Sequence, residues 1–180
     1  MKYSYWYWKN FFSKKEINLL NNIINLNSFK GVDVPATNVK KTSEVKMIEY
    51  KYLKNHLEDL FKKIYIINQS HFDYDIFNPA EEDLLLYNVY KDGKEYDWHI
   101  DEASDPYIDI KLTVLINLSN IDYSGGEFCL KKSNELILKN EFNEPGDVIL
   151  LKSYIMHKVK PISKGERNSL TYFIKGPNFK

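Results

Sequence analysis

One cysteine is all the chain has among its 180 residues, which excludes an intramolecular disulfide and any cysteine-only metal site. Cys129 therefore reads as a small buried hydrophobe in a protein of a reducing compartment. Surplus charge is also lacking. Twenty-five basic residues balance twenty-five acidic ones, so no overall field recruits nucleic acid or an anionic membrane. No stretch approaches the roughly twenty apolar residues of a transmembrane helix, and the opening MKYSYWYWKN lacks the aliphatic run and cleavage site of a signal peptide. These absences predict a cytoplasmic protein with neither nucleic acid nor membrane among its partners. Low-complexity linkers and internal repeats are missing too, so the whole chain, 1–180, is expected to form one domain. Arginine is as scarce as cysteine: of the twenty-five basic residues only Arg167 is one.

What is present is apolar and aromatic. A hydrophobic content of 43% and an aromatic share of 15% predict a folded chain rich in strands. The aromatic start reads as packing over the core. Ser13 followed by Glu16 has the spacing of a capping box, and Ile17, Leu20 and Ile24 then recur on one face, predicting a helix over Lys14 to Asn25. The Gly- and Pro-containing stretch that follows reads as loop with room for a short strand. A second amphipathic helix is expected from Ile48 to Asn68, on the stripe Leu53, Leu57, Leu60, Phe61 and Ile64. Beyond Phe72 the period changes. DLLLYNVY, YDWHID, IKLTVLINLS, GEFCLKK, ELILKN, DVILLKS, HKVKPI and SLTYFIKG are eight strand-like runs, the number a two-sheet jelly roll needs. The expected fold is mainly β: a double-stranded β-helix of cupin type over 72–180, preceded by a helical support layer over 1–71.

In YDWHIDE, His99 and Asp101 are two apart, so on a strand both leave the same face while Ile100 points away. His157, on a late run, can bring a third ligand. Two His and one carboxylate on one side of an ion, with the other positions open, form the facial triad of non-heme Fe(II) oxygenases. The spacing alone is also met in ordinary surface or hydrogen-bonded His/Asp pairs. His56, on a charged helix, and His71, ahead of the β core, are assigned to no metal.

The surroundings of the pair carry more. Tyr90, Gly93 and Tyr96 precede His99 by nine, six and three residues, which resembles the Y-x-x-G-x-x-Y-x-x-H-x-D signature of the prolyl 4-hydroxylase-like oxygenases dependent on Fe(II) and 2-oxoglutarate. KLTVLINLSNIDYSGGEFCL is similar to that family's strand, loop and Gly-Gly-Glu segment. EPGDVILLKSYIMHKVKPISKGERNSLTYFIKGPNF resembles its closing block. The resemblance implies His99, Asp101 and His157 as metal ligands and catalytic centre. It implies Arg167 and Ser169 as partners of the distal carboxylate of 2-oxoglutarate, with Tyr90 and Asn117 as further cosubstrate contacts. Asn117 departs from the Tyr that several relatives have there. Tyr96 and Trp98 are expected to line the substrate cleft, although each aromatic also reads as core filling. A guanidinium can grip a carboxylate through two parallel hydrogen bonds where an ammonium is a point charge, which gives the lone arginine its task.

The implied reaction hydroxylates an unactivated C–H bond with O2, releasing succinate and CO2, with ascorbate as accompanying reductant. The implied substrate is a prolyl residue in a peptide or protein; a free amino acid or other small molecule stays open. So do a zinc or iron cupin without 2-oxoglutarate and a jelly-roll binding module without chemistry. DEASDPYIDI, long and polar, is the candidate lid. Gly125 and Gly126 are expected in a turn of positive φ, with no phosphate to cradle.

Overall fold

The computed structural model describes residues 3–31, 39–103, 107–131 and 134–178. Helix α1, Lys14–Asn27, starts from the expected capping box: Ser13 N donates to Glu16 Oε2 at 2.8 Å, and Glu16 N donates to Ser13 Oγ. Helix α2, Lys54–Ile67, buries Leu57, Leu60, Phe61 and Ile64, the stripe read from the sequence. Its start corrects that reading, because Ile48 and Glu49 are not helical. They end a strand, and a 3-10 turn over Tyr50–Tyr52 separates them from α2.

Thirteen strands occupy the described residues: β1 Tyr5–Trp8, β2 Phe29–Lys30, β3 Glu44–Glu49, β4 Leu84–Lys91, β5 Tyr96–His99, β6 Ile108–Asn117, β7 Ser124–Gly125, β8 Phe128–Lys131, β9 Glu135–Ile137, β10 Val148–Lys152, β11 His157–Val159, β12 Ile162–Lys164 and β13 Glu166–Pro177. They form a seven-stranded sheet, β1-β10-β6-β13-β4-β3-β2, a four-stranded sheet, β5-β11-β8-β9, and the ribbon β12-β7. The eight expected runs are β4, β5, β6, β8, β9, β10, β11 and β13. Four lie in each large sheet, the jelly-roll arrangement. Three strands the 1–71 segment contributes, β1, β2 and β3, were expected there as at most one; they extend the larger sheet on both sides.

Alternation sorts the larger sheet's side chains to its two faces. Leu85, Tyr87 and Val89 of β4, Leu112, Val114 and Ile116 of β6 and Leu170, Tyr172 and Ile174 of β13 pack with Ile17, Leu20 and Ile24 of α1 and the stripe of α2. The helices therefore cover the outer face. The opposite face gives Tyr90, Leu115, Ile149 and Leu151 to a second core, against Phe128, Leu130 and Val159 of the smaller sheet. The aromatic start splits between the two: Trp6 and Trp8 pack on the first core, Tyr5 on the second.

Two adjacent glycines lead out of β7 toward β8. Gly125 and Gly126 have φ of 76° and 67°, as expected, and a Cβ on Gly126 would stand 2.3 Å from Ile162 Cδ1 and 3.1 Å from Arg167 Cδ. The bare backbone is thus what lets the arginine stem pass. Cys129 is fully buried, as read.

Candidate active site

Between the sheets lies a cavity of about 310 Å³. His99 ends β5 and His157 begins β11, and the two are register partners on neighbouring strands. Asp101 lies two residues past the end of β5, held by its own N–H on Ser153 O at 3.0 Å. Nε2 of His157 is 3.5 Å from Asp101 Oδ2, and Nε2 of His99 is 3.8 Å from Oδ1. One ligand atom from each of the three lies within 4.8 Å of the others, the one such group of three among the described residues. His56 and His71 are outside it; the His71 ring packs on Tyr3 and Trp6.

The hydrogen bonds set the tautomers. Nδ1 of His99 faces Asp97 O at 2.7 Å and Nδ1 of His157 faces Ile155 O at 2.8 Å. A carbonyl oxygen only accepts, so each Nδ1 carries the proton and each Nε2 offers its lone pair toward Asp101. Burial, with His157 adjacent, pushes the His99 imidazole down to about 2, so the ring is neutral, the form that ligates. Thr113 Oγ1 of β6 donates to Asp101 Oδ2 at 2.6 Å, fixing the carboxylate from the opposite sheet. The donor set, two neutral imidazoles and a held carboxylate, fits an Fe(II)-type ion.

Arg167 is 1% exposed, with its Cζ 5.6 Å from the Tyr90 ring and 5.5 Å from the Phe142 ring. Its Nη1 is buried without a hydrogen-bond partner among the described residues. A buried guanidinium with an idle donor is costly unless an acceptor arrives, and a carboxylate is the acceptor whose shape it matches. Tyr90 is Arg167's register partner, and Ser169 is two residues further along β13; both line the cavity. Burial raises the Tyr90 phenol, keeping it a hydrogen-bond donor.

The structure does not bring every expected residue to this place, and Arg167 itself, packed beside Tyr90 and Phe142, is not among the residues that line the cavity. Asn117 is fully buried but does not line the cavity: its Nδ2 donates to Tyr123 Oη and Asn143 O, and its Oδ1 accepts from Ser119. Trp98 does not line it either; its ring lies beside Lys158 and Lys131, with Nζ at 4.4 and 5.7 Å. Tyr96 does line it. Of the candidate lid, Glu102 and Ala103 line the cavity, Ser104, Asp105 and Pro106 lie outside the described residues, and Ile108 to Ile110 already belong to β6.

Three neighbours went unread in the sequence. Thr113 sits in an apolar run and had no local signal. Asn88, opposite Ser169 in register, lines the cavity. Lys41 reaches it from the segment read as loop, where it bridges to Tyr96; its ammonium is lowered by burial to about 8, against the pull of Asp101.

The family model described as the 2OG-Fe(II) oxygenase superfamily matches residues 85–175, half of the chain. A PKHD-type hydroxylase from Idiomarina loihiensis is 23% identical over 116 residues, 58% of this chain and 50% of that protein. The matched stretch spans half or less of the curated relatives' length. The fold is shared with a Pseudomonas putida prolyl-4-hydroxylase, at a TM-score of 0.73 and 16% identity over 98% of this chain and 95% of the other. It is shared as well with a Trichoplax adhaerens prolyl hydroxylase in complex with a hypoxia inducible factor peptide fragment, at 0.67 and 19% over 96% and 84%.

Proposed function

Since the chain belongs to the 2OG-Fe(II) oxygenase superfamily, we propose that it is an Fe(II)- and 2-oxoglutarate-dependent hydroxylase of an unactivated C–H bond in a prolyl residue of a peptide or protein. The observation that carries this reading is the turning of both histidine Nε2 atoms toward one held carboxylate, His99 and His157 about Asp101. With Fe(II) and 2-oxoglutarate bound, such a centre supplies hydroxylation by O2 coupled to release of succinate and CO2. Ascorbate is the accompanying reductant in this reading.

The chain's own residues divide the remaining work. His99, Asp101 and His157 hold the ion, while Thr113 keeps the carboxylate from turning away. Arg167 and Ser169 grip the distal carboxylate of the cosubstrate, and the Tyr90 phenol donates beside them. Leu115, Phe128 and Val159 form apolar walls that keep water from the reacting groups. Tyr96 stands at the substrate side. Asn117 and Trp98 take no part, in view of their other neighbours. Residues 1–180 act as one oxygenase domain in a cytoplasmic setting; among the described residues no helix is long and apolar enough to cross a membrane.

A free amino acid is the second reading, favoured by the opposite charges of Lys41 and Glu102 on the cavity wall, which match a zwitterion. Anaerobic loading with Fe(II) and 2-oxoglutarate, followed by succinate release on admitting O2, tests both. Prolyl peptides should stimulate release more than free amino acids. Absence of 2-oxoglutarate binding would overturn the oxygenase reading, and stimulation by amino acids alone would overturn the peptide one.

A further inference from the structure

Along β5 and β11, His99 pairs with His157 and Tyr96 pairs with Val159, so Asp97 and Trp98 together face the single residue Lys158. This is a β-bulge, and it re-aims side chains. Simple alternation would send Tyr96 and His99 to opposite faces; the bulge turns both into the cavity. Their rings lie 3.5 Å apart between centroids and 12° from parallel. His157 has no such companion among the described residues: its nearest phenyl ring, Phe128, is 5.4 Å away and tilted by 43°.

We propose that Tyr96 is a positioning residue that holds the His99 imidazole in its metal-binding orientation through the face of its ring. The inference rests on the metal reading given above. The Asp97 carbonyl fixes the His99 tautomer at 2.7 Å, but a single hydrogen bond leaves the ring free to rock about that bond. A parallel aromatic face removes the rocking, because tilting the imidazole would drive its edge into the neighbouring ring. A metal-bound imidazole is electron-poor, and the electron-rich face of a phenol attracts it. Lys41 Nζ, 4.4 Å from the centroid of the same ring, adds a second positive partner to that ring. The two histidines are thereby held differently: His157 by its hydrogen bond and the packing of β8, His99 by its hydrogen bond and a stack.

Co(II) serves as the probe, its visible absorption reporting both affinity and ligand field. Tyr96→Phe keeps the flat ring and should bind Co(II) within about threefold of the parent, with the same band. Tyr96→Leu fills much of the volume without a π face, and Tyr96→Ala empties it. Both should bind about tenfold more weakly or worse, the scale on which loss of a ligand's supporting partner acts. In the metal-free protein the His99 ring signals in a ¹⁵N spectrum should stay sharp in Tyr96→Phe and broaden in Tyr96→Leu, with the His157 signals unaffected. Leu binding as tightly as Tyr, or Phe binding as weakly as Ala, would overturn the proposal. A parent protein that takes up no Co(II) at all would instead sink the metal reading, and this inference with it.

Discussion

Thr113 on β6 and Asp101 beyond β5 are joined by a 2.6 Å hydrogen bond that crosses from one sheet to the other. The hydroxyl donates to Oδ2, the same oxygen that lies 3.5 Å from His157 Nε2. Thr113→Val keeps the shape and removes the donor. A bond to a charged acceptor contributes about 1.5–3 kcal/mol. Divalent-metal affinity should fall by roughly ten- to a hundredfold while the thermal midpoint of the metal-free protein hardly moves. Metal titration beside a melting curve checks both; unchanged affinity would release Thr113 from this role.

The ligands themselves give a sharper case. His99→Ala, Asp101→Ala and His157→Ala should each lose Fe(II)-dependent turnover with the fold retained, because all three side chains border the cavity between the sheets. Asp101→Glu keeps the charge but displaces the carboxylate by a methylene. It should lower turnover severely, since positioning errors near 1 Å cost about a hundredfold. Succinate release measures this, and full activity in all three alanine variants would refute the triad.

Arg167 is tested by the ligand it is expected to grip. Arg167→Lys keeps the charge and loses the fork; Arg167→Ala removes the donor altogether. At about 1.4 kcal/mol per tenfold, loss of one charge-assisted bond should weaken 2-oxoglutarate by about one order of magnitude or more in either variant. Fe(II) affinity should not change. The metal-to-ligand charge-transfer band of the anaerobic complex follows the titration, and unaltered affinity in Arg167→Ala would end the assignment.

Acid stability is predicted from a site outside the cavity lining. Asp83 accepts from Lys175 Nζ at 2.8 Å, Tyr172 Oη at 2.8 Å and Ala80 N at 2.9 Å. Burial raises its carboxyl, but these donors outweigh burial and hold it below the ordinary carboxylate range. A depressed folded-state value means stability that is fully present above the unfolded value of about 3.9 and lost as pH falls through the folded one. The gap in melting temperature between the parent and Asp83→Asn should therefore be widest near neutrality and shrink below about pH 4. A gap independent of pH would show that the charge contributes nothing.

Much of this was written locally in the chain. The eight strand runs are legible because a half-buried strand imposes a period of two on its own residues. The stripe of α2 is legible because a helix imposes its own period. His99, His157 and Arg167 stand out because histidine and arginine are rare in this composition, and Asp101 because it follows His99 by two residues.

What the tertiary structure alone decided depends on partners distant in sequence. Ile48 has the apolar character of the helix that follows it, yet pairing with Leu85 of β4 makes it strand, since the ladder satisfies its backbone and the outer core takes its side chain. Tyr96 faces the cavity because β11 offers one residue where β5 has two, a mismatch that no periodicity in YDWH discloses. Thr113, Lys41 and Asn88 reach the site through register and bridging across the sheets, while Asn117, in the strand that seemed to carry it there, spends its amide on Tyr123, Asn143 and Ser119. Alternation within a strand is a property of neighbours along the chain. Which residues meet across strands is fixed by register, and register is settled only when the whole sheet closes around its core.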